Sequence, residues 1–278
     1  MFWYIGLSIL SIAFIVYTLW KFKDPRLFVF YLAIAGIIYP LETAIFVYFK
    51  SYFYEVGVFK NIYKDSVVGH FASNLLAVPA VGLWIAANQL KFRWSIFFSF
   101  IFMGIELIFL NLHIYHQIWW KPYYTGLLLP IHFWIAKRLW YHIRNDKMTK
   151  RFSFLLLSFS AVSISSVLSF FLLGAPGFIK FSIGLFSNSF RDHLAASVPT
   201  LFITSFGMSL FITKIHSRIK YLFILVFVGV VEGLLIKYHI LTVKSLVVFM
   251  IFIVVHLITA YILNVFQTLL YNRSISLK

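Results

Sequence analysis

The stretch LVVFMIFIVVHLITAYILNVF, residues 246–266, contains no Asp, Glu, Lys or Arg, and His256 is its only basic side chain. A run of about 20 apolar residues is long enough to cross the hydrocarbon core of a bilayer as a helix. Similar runs recur along the 278-residue chain, which is 62% hydrophobic and 12% charged. A soluble domain would carry about 25% charged residues. The sequence therefore predicts an all-α, polytopic helical membrane protein.

The apolar runs predict nine transmembrane helices within a single integral membrane domain, residues 1–278. The N-terminal MFWYIGLSIL lacks the basic region and the small-residue cleavage site of a signal peptide, so we expect it to begin the first span. The predicted spans are residues 2–22, 27–49, 66–90, 94–118, 122–140, 152–174, 194–213, 220–238 and 245–271.

The net charge of +16 comes mostly from Lys and Arg located between the apolar runs. In such positions they set the orientation of the helices and contact anionic headgroups. We expect the lipid bilayer to be the main partner, with anionic lipid bound at the basic loop, residues 137–151. The sequence shows no aromatic-plus-basic module for nucleic acid, and it contains no cysteine. Nucleic-acid binding and thiol chemistry are therefore excluded.

The orientation follows from the distribution of the 24 Lys and Arg residues. The connections after predicted helices 1, 3, 5 and 7, together with the C-terminus, hold 16 of them, and the other side holds 8. The side with more Lys and Arg is normally cytoplasmic. We therefore expect a multi-pass protein of the cell (inner) membrane with an extracytoplasmic N-terminus and a cytoplasmic C-terminus.

Polar residues in the two halves suggest an internal repeat. Residues 27–141 and 152–271 would form two parallel four-helix units, preceded by an extra N-terminal helix in residues 1–26. The alternative is chance similarity between apolar helices. The pairs that recur in the same order are Asp65 and Asp192, Glu106 and Glu232, His113 and His239, and His132 and His256.

The stretch GIELIFLNLHIYHQIWWKPYYT, residues 104–125, places a carboxylate and two imidazoles in an apolar run. A carboxylate inside a bilayer is costly and normally faces the bundle interior or water. On a helix, Glu106 and His113 would lie on one face two turns apart, and His113 and His116 would be neighbours. We therefore predict a polar cavity that opens to the outside. Its candidate residues are Glu106, His113, His116, His70, Asn74, Glu42, Asp65, His132, Glu232, His239, Asp192 and His256.

Each of these candidates also has a structural interpretation. A short polar side chain can cap a helix, and a polar residue within the bilayer can hold helices together. The alternatives are a helix N-cap for Asp65 and Asp192, an interfacial anchor beside the Trp119–Trp120 pair for His113 and His116, a bond to backbone freed by Pro40 for Glu42, and interhelical hydrogen bonds for His132 and His256.

The sequence shows no zinc-protease motif, no carboxylate pair of the CAAX-protease type and no phosphate-binding glycine loop. No motif indicates a cofactor. A divalent metal is one interpretation of the imidazoles, with His113, His116 and His70 as the candidate ligands.

The combination of Glu106, HIY at 113–115, WW at 119–120 and YYT at 123–125 resembles an uncharacterised family of small polytopic membrane proteins from spore-forming Firmicutes. In that family a Glu-rich span is followed by a Gly-Ile-Tyr turn and by Trp before the next helix. Here His113 stands in place of the glycine of that turn. The resemblance covers one helix pair and implies a membrane fold, but no activity.

Three functions are compatible with the sequence. The leading hypothesis is a small-solute or ion transporter. The second is a membrane-embedded enzyme that acts on a lipid or lipid-linked substrate at the outer leaflet. The third is a non-catalytic partner or sensor subunit whose polar residues hold helices together.

Overall fold

The computed structural model describes residues 1–271, and this part of the chain contains nine helices and four short strands. Seven of these helices, all except α5 and α8, are long and apolar enough to cross a membrane. The predicted all-α polytopic membrane fold is confirmed. The helices are α1 (Phe2–Phe22), α2 (Arg26–Tyr48), α3 (Ile62–Ala87), α4 (Phe92–Asn111), α5 (Pro122–Arg144), α6 (Lys150–Gly174), α7 (Ser189–Lys214), α8 (Lys220–Lys237) and α9 (Leu246–Tyr271).

The chain divides into two compact units, Met1–Lys147 and Met148–Lys278, and the division falls within the basic loop. Arg273 and Lys278, which contributed to the predicted orientation, lie outside the described residues. Each unit is described by itself below. Unit 1 contains helices α1 to α5 and unit 2 contains helices α6 to α9.

In unit 1, α3 packs against α1, α2 and α5, and α4 packs against α5. Strand β1 (Tyr52–Tyr54) pairs antiparallel with β2 (Tyr115–Gln117), with Tyr52 opposite Gln117 and Tyr54 opposite Tyr115. These strands follow α2 and α4, so the ladder joins the ends of two helices. It closes one end of unit 1.

In unit 2, α7 packs against α6 and α8, and α9 packs against α6 and α8. Strand β3 (Ile179–Phe181) pairs antiparallel with β4 (Leu241–Val243), with Ile179 opposite Val243 and Phe181 opposite Leu241. The order of elements is the same as in unit 1 without α1.

The fourth predicted helix is too long, because α4 ends at Asn111 and not at residue 118. His113 adopts the left-handed conformation with φ 54°. The N–H of Ile114 then bonds the carbonyl of Phe109, and the N–H of His113 bonds that of Leu110. This is the Schellman arrangement that terminates a helix, and it favours glycine at the left-handed position.

Three helices contain a π-helical segment, at Thr43–Tyr48 in α2, Phe71–Ala77 in α3 and Phe170–Gly174 in α6. In α3 the segment precedes Pro79, whose ring displaces the carbonyl four residues earlier. That carbonyl belongs to Leu75, and it accepts a hydrogen bond of 2.7 Å from the hydroxyl of Tyr31 on α2. The helix therefore changes its pitch without leaving a buried backbone group unsatisfied.

The two ends of unit 1 differ in charge. At the end opposite the strands, buried Arg26 forms ion pairs of 2.9 Å with Asp24 and 2.7 Å with Asp146. Lys137, on α5, donates to the carbonyl of Leu90 at this end. At the strand end, the hydroxyl of Tyr4 near the N-terminus donates to the carbonyl of Ile114. Most basic side chains of unit 1 are thus far from the strands.

Candidate functional site

A cavity of about 250 Å³ lies at the strand end of unit 1, bordered by α2, α3, α4, α5 and the ladder. Its walls are mainly apolar, and both π-helical segments of unit 1 contribute lining residues, including Ile45 and Asn74. π-Helical segments often occur at functional sites, because they change which side chains face inward. The polar and aromatic residues that line the cavity include Tyr4, Glu42, Tyr52, Tyr54, Ser73, Asn74, Glu106, Tyr115, Trp120, Thr125 and His132.

Glu106 is the most extensively bonded carboxylate of the cavity. Gln117 Nε2 donates to its Oε1 at 2.6 Å, and Thr125 Oγ1 donates to its Oε2 at 2.6 Å. The neutral hydroxyl of Tyr115 also interacts electrostatically with this carboxylate. Thr125 in turn accepts from the indole N–H of Trp120 at 3.1 Å, which fixes the direction of its hydroxyl. All three partners of Glu106 are neutral donors.

Glu42 is the second carboxylate of the cavity. Its Oε1 accepts a hydrogen bond from the hydroxyl of Tyr52 and lies 2.9 Å from Nδ1 of His70. The same Nδ1 of His70 lies 3.3 Å from Nδ2 of Asn74, so Glu42 and Asn74 both contact this nitrogen. The alternative in which Glu42 bonds backbone freed by Pro40 is therefore not what the structure shows. Glu42 instead connects α2 to β1 and α3.

Three tyrosines of the ladder surround the two carboxylates. Burial is the main reason that the pKa values of Tyr52, Tyr54 and Tyr115 are raised well above the ordinary value of a phenol. The negative charge of Glu42 raises all three further, and that of Glu106 adds to the effect on Tyr54 and Tyr115. These hydroxyls therefore stay neutral and act as donors at physiological pH.

The predicted site residues of unit 1 do not all meet in the cavity. Glu42, Asn74, Glu106 and His132 line it. His70 does not line it, but it contacts the lining residues Glu42 and Asn74, and its ring packs against those of Tyr52 and Tyr54. Nε2 of His132 is buried and has no hydrogen-bond partner among the described residues. This nitrogen therefore does not form the interhelical hydrogen bond that the sequence suggests.

His113 and His116 were expected to be neighbours on a helix, and this expectation is wrong. His113 lies beyond the end of α4, and His116 lies in β2 opposite Phe53. The imidazole of His116 stacks on Phe53 and its Nε2 lies 2.9 Å from Oε2 of exposed Glu55. Among residues 1–271, no three His, Asp or Glu side chains are grouped so that they would hold a metal ion. His70, His113 and His116 are therefore not brought together as ligands.

Asp65 and Asp192 do not cap their helices. Asn61 and Asn188 are the N-caps, because each side chain accepts from two N–H groups of the first turn. The carboxylate of Asp65 instead accepts from the N–H groups of residues 56–59 in the preceding loop. Asp192 accepts in the same way from residues 183–186. Both aspartates hold a loop.

The predicted site residues of unit 2 lie in different surroundings. Glu232 is fully buried in α8, and neither of its carboxylate oxygens has a hydrogen-bond partner among the described residues. His239 has φ 58° and ends α8 as His113 ends α4. Nδ1 of His256 lies 2.9 Å from the carbonyl of Phe252 in its own helix. That bond replaces the interhelical one expected from the sequence.

Several cavity residues were missed from the sequence. Tyr52, Tyr54 and Tyr115 lie on strands of three residues, which are too short for a clear period-two pattern. Trp120 was placed in an interfacial belt, but its side chain is buried against the cavity, whereas neighbouring Trp119 is exposed. The alternation of tyrosines in the run YFY at 52–54 is the one signal that pointed to a shared face.

Comparison of the chain with models of protein families, with curated proteins and with solved structures finds no match.

Proposed function

We propose that this multi-pass membrane protein transports a small solute or an ion, and that the cavity of unit 1 is the binding site. The observation that carries the proposal is the charge of the cavity. Glu42 and Glu106 line it together, whereas no Lys or Arg of the described residues does. A carboxylate inside a membrane domain costs several kcal/mol, so such residues are normally retained for a function.

The hydrogen bonds of Glu106 alone are compatible with a structural role, because Gln117 and Thr125 tie α4 to β2 and α5. A purely structural network would fill the space between its members. Here the same carboxylate borders a cavity large enough for several water molecules or a small solute. This space favours a binding role over the non-catalytic subunit.

A catalytic role would depend on the pair formed by Glu42 and His70. The carboxylate orients the imidazole through Nδ1, as in many general bases. However, Nε2 of His70 is buried without a partner among the described residues, and His70 is not one of the residues that line the cavity. A substrate in the cavity would not reach the basic nitrogen, so we favour transport over catalysis.

The proposed site faces the extracytoplasmic side. The support is the separation of charges in unit 1, in which Arg26 and Lys137 lie at the end opposite the strands. A C-terminal fusion should be fluorescent with green fluorescent protein and inactive with alkaline phosphatase. Active phosphatase at the C-terminus would reverse the proposed sidedness.

Transport is tested with purified protein reconstituted into liposomes. Uptake is measured for a panel of labelled small solutes that includes cations, anions and neutral molecules. We expect at least one class to accumulate above empty liposomes, and Glu106→Gln to abolish this uptake while leaving the amount of reconstituted protein unchanged. Glu55→Gln is the matched control, because Glu55 is exposed and lies outside the cavity. Uptake equal to that of empty liposomes for the whole panel, or full uptake by Glu106→Gln, would overturn the proposal.

A further inference from the structure

We infer that the cavity of unit 1 binds a small organic cation of the alkylammonium class. This inference rests on the proposed binding role of the cavity and names its substrate class. It depends on three features that occur together: an uncompensated carboxylate, a continuous aromatic wall and apolar surroundings.

The first feature is the charge around Glu106. Its partners Gln117, Thr125 and Tyr115 are all neutral. Glu42, in contrast, has the imidazole of His70 beside it. Two carboxylates line the cavity, no Lys or Arg of the described residues does, and of the two carboxylates only Glu42 has an imidazole beside it, so the cavity has an excess of negative charge. A buried carboxylate without a counter-ion is costly, and a bound cation would remove that cost.

The second feature is a cluster of aromatic rings along the same wall. The ring centroids of Tyr52 and Trp120 are 5.6 Å apart, those of Tyr52 and Tyr115 are 5.2 Å apart, and those of Tyr54 and Tyr115 are 5.0 Å apart. Tyr4 extends the cluster, with its ring 5.9 Å from that of Tyr54. Aromatic rings attract cations through the negative potential of their faces, and sets of such rings recognise alkylammonium groups.

The third feature distinguishes an organic cation from a metal ion. Much of the remaining lining is aliphatic, for example Leu7, Ile105 and Leu128. The polar residues beside the two carboxylates are Ser73, Asn74, Thr125 and His132. A hydrated inorganic cation needs several oxygen ligands to replace its water shell. Only two carboxylates of the described residues line the cavity, and no three His, Asp or Glu side chains of these residues are grouped to hold a metal ion. An ammonium ion with methyl or ethyl substituents matches both the charge and the apolar walls.

The experiment uses choline as the probe and 3,3-dimethylbutan-1-ol as its neutral isostere, in which carbon replaces the charged nitrogen. Binding to the purified full-length chain is followed by tryptophan fluorescence and by the thermal unfolding midpoint, since a ligand of the native state raises that midpoint. Sodium chloride at equal ionic strength controls for salt. We expect saturable binding of choline and at least tenfold weaker binding of the isostere.

Variants separate the contributions of charge and aromatic face. Glu106→Gln should weaken choline binding about tenfold or more, and Glu55→Gln should leave it unchanged. Trp120→Phe retains a ring but loses the bond to Thr125, whereas Trp120→Leu loses both. We expect Trp120→Leu to bind choline about fivefold more weakly than Trp120→Phe, the range of one exposed to partly buried cation–π contact.

Equal binding of choline and the isostere, or unchanged choline binding by Glu106→Gln, would overturn the inference. These results are distinguishable from a failure of the proposed transport function. If uptake of an anion or a neutral solute depends on Glu106 while choline does not bind, transport stands and the substrate class is wrong. If choline binds through Glu106 but no solute is taken up, the cation site stands and transport is wrong.

Discussion

Unit 1 and unit 2 share their structural supports but differ in what those supports enclose. In unit 1, Asp65 holds the loop before α3, and Asn61, four residues earlier, caps that helix. In unit 2, Asp192 and Asn188 do the same for α7. In each unit a histidine in the left-handed conformation ends the helix that carries the buried glutamate. Even the acceptor for the last strand residue is matched: the N–H of Tyr54 bonds Ser66, and that of Phe181 bonds Nδ1 of His193, both at 3.0 Å.

The side chains on the inner face of the two ladders are different. Tyr52 and Tyr54 in β1 correspond by register to Ile179 and Phe181 in β3. Unit 2 fills this region with an apolar cluster that includes Leu173, Ile179, Phe181, Leu241 and Phe252. In unit 1 the corresponding cluster contains Tyr52, Tyr115 and Trp120 beside the cavity.

The comparison separates structure from function among the candidate residues. A residue whose role is the same in both units, such as Asp65 or His113, is explained by the fold. A residue whose surroundings differ between the units, such as Glu106, requires a further explanation. That the two units are copies of one ancestral unit stays a prediction, and substitutions made in parallel in both units are the way to examine it.

The largest effect is expected from removing the loop-holding carboxylates. Asp65→Ala and Asp192→Ala each leave four backbone N–H groups without their acceptor. Because a hydrogen bond to a charged acceptor contributes about 1.5–3 kcal/mol, and water replaces part of this bonding in loops that are largely exposed, we expect each variant to lose about 2–3 kcal/mol of stability. The measurement is the unfolding midpoint in detergent together with abundance in the membrane. A large loss of stability for one of the two variants and none for the other would contradict the correspondence between the two units.

Substitutions of half-buried Glu106 and of fully buried Glu232 are expected to change the stability in opposite directions. Glu106→Leu should destabilise by about 1–2 kcal/mol, because the amide of Gln117 and the hydroxyl of Thr125 lose their acceptor. Glu232→Leu should stabilise by about 1–2 kcal/mol, because it removes a fully buried carboxylate that has no partner among the described residues. The unfolding midpoint in detergent is measured for both variants. Destabilisation by Glu232→Leu would contradict this expectation and would indicate that the carboxylate has a partner in unit 2.

The smallest effect is expected at the helix ends. His113→Gly and His239→Gly relieve a left-handed conformation that costs a non-glycine residue about 1–2 kcal/mol, part of which is offset by the greater freedom of glycine in the unfolded chain. We expect each variant to gain about 0.5–1 kcal/mol. His142→Gly, in the last turn of α5, is the control and should lose stability. Equal gains would sharpen the correspondence between the two units.

The helices could be predicted from the sequence because every membrane span must form its backbone hydrogen bonds within its own segment. The short strands could not be predicted from the sequence. Residues 112–118 are as apolar as the end of a helix, and only the left-handed conformation of His113 shows where α4 stops. Position 113 carries no glycine, so the usual signal for that stop was absent.

Part of the candidate site could be predicted from the sequence for the same reason. A glutamate in an apolar run is conspicuous, and both Glu42 and Glu106 were identified. Of their partners only His70 was identified. Tyr52, Gln117 and Thr125 are ordinary residues at membrane borders and acquire their role only through the tertiary structure around the ladder. Burial next to a distant strand is a tertiary property that local periodicity does not encode.

The ladders also constrain how the protein is made. Tyr52 pairs with Gln117, about 65 residues later, and two helices lie between them. Closing a loop of this length costs entropy that is recovered only when the pairing forms. During synthesis on the ribosome, α2 and α3 therefore enter the membrane before the ladder can form. The pairing of β1 with β2 begins only when the segment after α4 has emerged. The cavity of unit 1 is thus a late product of biogenesis, completed only when α5, the fifth helix, has been inserted. Unit 2 repeats the same delay with its own pair of strands.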